Sequence, residues 1–393
     1  MMRRTRHLAL MALLPVLFVA VLALLSAGAA RASQPWRYVQ ALQAFQDRVA
    51  HGDRKAYRAH VRLLAHLGRQ FGLMADEVWK ERLNAEALFI FLLGGGSPAA
   101  AKDLLKRKVE VNLPDGALEG AIAYAEGRNG RAWELLRALD ASGLTVSAQA
   151  QLALARAALR AAARPREALA LLARVRLLKP GTLLEEVALR RALFLAGEEG
   201  DVQAFARLAS AYLRRFHNSW YVSDFLRRFS WLLARLDYQR KPFLFQRLAP
   251  QIALLTKRRR ALLHAALARA ALLEGKRALA LAAGREAVAL YPRAARFAAR
   301  VNMWMAAARV VSPAPEEALK ALRGISPALL DARDRKLRLA AMTVARAIMD
   351  EPEVKEAAAD RPDAGREAEN LPVLARAGAM IADIEKLLRE SGK

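Results

Sequence analysis

The sequence predicts an all-α fold built from paired helices, and three observations carry that prediction. Alanine and leucine supply most of an apolar fraction of 55%, while glycine and β-branched residues are sparse, which disfavours sandwiches and Rossmann-type sheets. Apolar residues recur at helical spacing from Trp36 onward, and no segment keeps the two-residue alternation of a half-buried strand. Two stretches also fit a helix–turn–helix unit of about 34 residues. At 393 residues the chain exceeds what one hydrophobic core usually covers, so two or more units are expected.

Residues 1–32 read as a signal peptide. Arg3, Arg4 and Arg6 precede an apolar run from Leu8 to Leu25, and Ala30-Arg31-Ala32 offers the small-x-small pattern cut by signal peptidase, with cleavage expected after Ala32. An uncleaved anchor is the alternative, since such a run reaches about 27 Å as a helix. Pro15 and the cleavage pattern favour removal and ordinary Sec export to the periplasm.

An N-terminal helical region follows over 33–145. Trp36, Val39, Leu42, Phe45 and Val49 mark a helix that stops near Gly52, and further helices are expected at 56–71, from about Glu77 to Leu93, and at 98–109, 115–127 and 131–140. Gly94-Gly95-Gly96 with Ser97-Pro98 gives a helix stop and the next start. Residues 146–349 read as tetratricopeptide-like helical hairpins. With Pro180 as closing proline, a unit starts at Gln149 and places Leu152, Ala155, Leu159, Ala168, Leu172 and Val175 at packing positions. With Pro292 a second starts at Ala261, with Leu267, Ala268, Ala271, Ala280 and Ala287 in the equivalent places. Stacking such pairs would give a right-handed solenoid. Arg156 and His264 depart from the usual small and apolar residues there. Residues 350–370 hold eight acids against three basic residues and read as an acidic linker, before a closing helix or tail over 371–393.

The charge is the strongest functional signal. The whole chain carries +26, and without residues 1–32 it keeps 60 basic against 38 acidic residues, or +22. An exported chain meets no nucleic acid, so the expected anions are acidic protein faces, with cell wall or anionic membrane as weaker contacts. The absence of cysteine excludes disulfides, iron–sulfur clusters and thiol catalysis. His60 and His66 are six apart, the wrong spacing for joint metal ligation on one helix face. The glycine run lacks a following Gly-Lys-Ser/Thr, and no GxSxG occurs. Glu77, Glu81 and Glu86 beside Lys80 and Arg82 read as a solvated, ion-paired face. Neither an enzyme nor a cofactor is expected.

One cluster points to binding. Residues 212–229, YLRRFHNSWYVSDFLRRF, interleave Phe216, Trp220, Tyr221, Phe225 and Phe229 with Arg214, Arg215, Arg227 and Arg228. Arginine and aromatic side chains together compose binding hot spots, and Arg214, Arg215, Trp220, Tyr221, Arg227 and Arg228 are the candidate partner-binding residues. The same spacing lets the aromatics fill a hairpin core with the arginines outside, and both readings hold together.

This cluster, with LQAFQDRVAHGD (42–53), NAEALFIFLLGGGSP (84–98) and LKPGTLLEEVALRRALFLAGEEGD (178–201), resembles the MotC family of periplasmic motility proteins. The resemblance covers the signal peptide and the mature chain to about residue 350, and excludes the acidic tail. It implies a non-enzymatic role in flagellar rotation through the periplasmic part of the stator protein MotB, and so an influence on the MotA–MotB proton channel. A periplasmic scaffold of similar architecture for cell-envelope or cell-wall assembly is the alternative.

Overall fold

The computed structural model describes residues 34–236 and 242–350. The chain divides into two compact units, 1–346 and 347–393. The expected signal peptide, nearly all of the acidic linker and the closing segment lie outside the described residues. Those residues form eighteen α-helices and two 3-10 turns, with no strand among them.

The first pair is α1 (Pro35–Ala50) and α2 (Arg54–Gly72), joined at Gly52. Then come α3 (Arg82–Leu93), α4 (Ala99–Lys106), α5 (Ala117–Ala125) and α6 (Asn129–Arg137). The two stretches expected to form repeat units are helical, as α7 (Val146–Arg160) with α8 (Pro165–Leu178), and α14 (Lys257–Leu273) with α15 (Arg277–Leu290). Between them lie α9 (Leu183–Glu198), α10 (Val202–Phe216), α11 (Val222–Leu236) and the short α12 (Leu244–Arg247) and α13 (Ala249–Ile252). Helices α16 (Ala295–Arg309), α17 (Pro315–Gly324) and α18 (Ala332–Met349) close the described chain.

Local chemistry sets these boundaries. Asp53, Thr145, Thr182, Asp201 and Thr256 cap helix starts by accepting backbone N–H bonds. Those of Thr145 and Thr256 start the two repeat units three or four residues before Gln149 and Ala261. Pro35, Pro165 and Pro315 occupy first turns, where a missing N–H costs nothing. The helix expected from Glu77 begins instead at Arg82. Asp76–Lys80 makes a 3-10 turn around buried Trp79, whose carbonyl accepts from Asn112 N, and Glu81 is extended.

Many helices pack on a neighbour in the chain, as α1 does on α2, α7 on α8, α9 on α10 and α14 on α15, while α3 also packs on α7 and α11 on α14 across the helices between them. Leu152, Ala155, Ala168, Leu172, Val175, Leu267, Ala268, Ala271, Ala280 and Ala287 are all buried, and Leu159 is partly so. The α1–α2 pair reaches farthest along the sequence, packing on α3, α4 and the distant α9. Asp47 Oδ1 accepts from Leu183 N at 2.9 Å, His51 Nε2 lies 2.9 Å from the Gly181 carbonyl, and Trp220 N donates to Val49 O at 3.2 Å. Gly52 has φ +93°, and a Cβ there would run into the Asn218 carbonyl oxygen. The tip of the first pair is therefore seated in the turn between α10 and α11.

Candidate partner-binding surface

The 212–229 cluster spans the end of α10 and the start of α11, and the helical period sorts it. Phe216, Phe225 and Phe229 are buried with Tyr212, whose ring stacks on Phe225 at 3.8 Å, while Phe225 stacks on Phe229 at 5.3 Å. Trp220 stays 40% exposed, but its inner face stacks on Tyr57 of α2 at 4.5 Å. Tyr221 is half-buried, edge-on to Tyr57, with the Arg190 guanidinium 5.0 Å above its ring. All four arginines face solvent. Three of them carry a carboxylate partner: Arg215 bonds Glu185, Arg227 bonds Asp224, and Arg228 bonds Glu198 while covering the Phe194 ring at 4.4 Å. Among the described residues Arg214 donates only to the uncharged Ser210 Oγ, at 3.1 Å.

The acids that answer them are placed by α9. Thr182 caps that helix, so Glu185 and Glu186 fall in its first turn and both are buried. Glu185 accepts from Gly181 N at 2.6 Å as well as from Arg215. Glu186 accepts from Tyr212 at 2.8 Å and Ser219 at 3.3 Å, with Arg190 at 3.4 Å. Desolvation raises its pKa against those partners, and burial likewise raises that of Asp47. Glu86, expected on a solvated face, is instead buried, because it reaches across to the Thr145 N–H at 2.9 Å and to Arg82.

Other cations finish helix ends. Arg156 donates to the carbonyls of Leu136 in the last turn of α6 and Leu139 just after it, Arg259 to that of His217 after α10, Lys276 to those of Ala234 and Arg235 on α11, and Arg338 to that of Leu322 on α17. Each satisfies orphan carbonyls at a negative helix terminus. The unusual Arg156 thus has a structural task. His264 is buried against Phe245 with its Nδ1 lacking a partner among the described residues, and desolvation lowers its pKa to about 4.

Two clefts are rich in arginine. One, of about 400 Å³, runs between α11, α14 and α16, where Arg227, Arg259, Arg269 and Arg300 surround Leu262 and Phe297. Acids stand beside two of these, since Arg227 meets Asp224 and Arg300 meets Asp331 and Asp334. The other, of about 560 Å³, is lined by Arg176 of α8, Arg207 and Arg214 of α10 and Arg247 of α12, over Ala206, Ala211, Leu244 and Leu248. No acid lines it, and no ion pair to any of these four arginines occurs among the described residues.

Of the six residues singled out by sequence, the second cleft takes Arg214 and the first takes Arg227. Arg215, Trp220, Tyr221 and Arg228 lie around the α9–α11 core and the α1–α2 tip. Arg176, Arg207 and Arg247 were missed. The seven-residue spacing of Arg207 and Arg214 was a readable signal, whereas Arg176 and Arg247 join them only through packing. No group of three or more His, Asp or Glu side chains placed for a metal occurs among the described residues, and none of their helices is long and apolar enough to cross a membrane.

Comparison with known proteins places the chain. The family model described as "Chemotaxis protein MotC" matches residues 1–391, so the match continues through the acidic tail, beyond residue 350 where the resemblance was expected to end. A curated protein named "Chemotaxis protein MotC", from Rhizobium meliloti (strain 1021), is 28% identical over 342 residues, covering 85% of this chain and 77% of the relative. No solved structure matches. The chain belongs to the MotC family.

Proposed function

We propose that this member of the MotC family is an exported, non-enzymatic protein of flagellar rotation that binds the periplasmic part of the stator protein MotB. Bound there, it influences proton flow through the MotA–MotB channel. The observation that carries this reading is the family match along residues 1–391, which establishes a motility-related role. The N-terminal Arg3-Arg4-x-Arg6, the Leu8–Leu25 run and Ala30-Arg31-Ala32 support export.

The described helices supply a scaffold for such binding. We read the consecutive pairs as a tetratricopeptide-like, right-handed solenoid, supported by the buried small residues of the α7–α8 and α14–α15 pairs. Binding alone shifts no equilibrium. To influence the channel, the chain must bind one arrangement of the stator's periplasmic domain more tightly than another.

The test is co-purification of the full chain with a periplasmic MotB fragment across a salt series, paired with swimming assays of a deletion strain. The reading expects capture at low salt that fades as the Debye length shrinks, and flagellated but poorly motile cells. Normal swimming without the protein, or no capture at low salt, overturns it. Capture of cell-wall fragments in place of the stator fragment would move the chain to envelope scaffolding.

A further inference from the structure

We propose that the cleft between α8, α10 and α12 is a docking site for an acidic protein segment, held by Arg176, Arg207, Arg214 and Arg247. Elsewhere many of this chain's arginines are spent within the fold. Arg215, Arg227, Arg228 and Arg300 each bond a carboxylate, and Arg156, Arg259 and Arg338 finish helix ends. In this cleft four arginines from three elements meet with no acid lining it, an arrangement that costs self-repulsion and in which, among the described residues, only Arg214 finds a hydrogen-bond partner, the uncharged Ser210. The Arg176 Nε–H is in addition buried without an acceptor among the described residues, a donor that folding has left open.

Shape selects the ligand. Arg207 and Arg214 are seven residues apart on α10, which separates them by about 10 Å along the helix axis. Between the cations lies a strip of Ala206, Ala211, Leu244 and Leu248, with Ser210 and Gln251 as neutral hydrogen-bonding groups. A single headgroup or phosphate would engage one end of such a strip. A peptide segment with carboxylates spaced along it meets the forks at both ends while its small side chains cover the floor. Any acidic segment of the right spacing fits. Placing the stator's periplasmic part there rests on the reading above.

The experiment titrates the full chain against a fluorescent peptide of alternating glutamate and alanine, read by anisotropy in rising salt. Saturable binding that weakens with salt is expected, with Arg207→Glu/Arg247→Glu weakening it on the order of tenfold or more. Arg293→Glu/Arg296→Glu, a distant exposed pair, should stay within about twofold. Arg207→Gln/Arg247→Gln, checked by circular dichroism and melting, covers the case in which charge reversal disturbs folding. The proposal is overturned if the peptide does not bind, if the cleft variants bind it like wild type, or if phosphatidylglycerol vesicles bind through these arginines while the peptide does not. Stator capture that survives the cleft variants would refute the cleft and leave the functional reading standing. Peptide binding through the cleft without stator capture would do the reverse.

Discussion

Helix α10 has two faces that treat the same residue type in opposite ways, and Arg214 and Arg215 stand next to each other across the divide. On one side Phe205, Tyr212 and Phe216 sink into the core, and Arg215 turns to a buried carboxylate of α9. The tip of the α1–α2 pair is seated nearby, where Asp47 accepts from Leu183 N, Glu185 pairs with Arg215 and Glu186 with Arg190. On the other side Arg207 and Arg214 overlook an open cleft with two further arginines and no acid. The comparison teaches that net charge alone is a poor guide to a basic protein's binding surface. Much of the surplus here is consumed by latches and helix ends, and the informative arginines are those the fold leaves unanswered.

The sharpest way to break the comparison is to unseat the closed face and leave the open one alone. Gly52→Ala forces a side chain into a positive-φ turn against the Asn218 carbonyl, at a cost of about 2–4 kcal/mol. Amide exchange at Leu183 and Trp220, which bond the α1–α2 pair, should then accelerate markedly, while the α14 and α15 amides keep their protection. Uniform acceleration throughout would show that the first pair is not a separable cover.

Acid should move the two sides in opposite directions. His264, buried against Phe245 of α12, has its pKa lowered to about 4, so the unfolded chain takes up a proton below about 6.5 that the folded chain refuses. Stability from this group therefore falls between about pH 6.5 and pH 4, by roughly 3 kcal/mol, and levels off below. Glu186 has a raised pKa, so the folded chain binds its proton first, and lowering the pH toward the ordinary carboxylate range contributes stability there. Urea midpoints at pH 7, 5 and 4 check both signs. His264→Asn should flatten the loss, and Glu186→Gln should deepen it. Matching slopes in wild type and both variants would reject these assignments.

How far the sequence reveals this arrangement depends on the range of the interactions. Helix starts at Asp53, Thr145, Thr182, Asp201 and Thr256 are legible because a cap and the first turn it serves lie within three residues. The core of the 212–229 cluster is legible for the same reason, since Phe225 and Phe229 stand about one helical turn apart on one face while Arg227 and Arg228 fall between them and project outward. The docking of α1–α2 is not, because Asp47 meets Leu183 across 136 residues and no periodic pattern records a partner that distant. Glu86 reads as solvated beside Lys80 and Arg82, yet it is buried by a threonine 59 positions away. The open cleft is half legible: Arg207 and Arg214 share a helix face by spacing, while Arg176 and Arg247 arrive from other elements.

Between neighbours on α10, stability should discriminate where sequence does not. Arg215→Ala leaves Glu185, 1% exposed, with only the Gly181 N–H, and a buried carboxylate stripped of its counter-ion is costly. Because the Arg215 side chain is itself 55% exposed, screening discounts the loss to about 1–2 kcal/mol.

Arg214→Ala, one residue earlier, should change stability by no more than about 0.5 kcal/mol, since its one bond is to Ser210 Oγ at an exposed position. It could even stabilise the chain slightly by relieving repulsion from Arg207 and Arg247. Thermal melts of the two single variants under one buffer decide the point, and salt should narrow the gap by screening both the Arg215 pair and the repulsion around Arg214. Equal destabilisation by the two substitutions would mean that Arg214 also has a structural partner. In that case the two faces of α10 would not differ in kind.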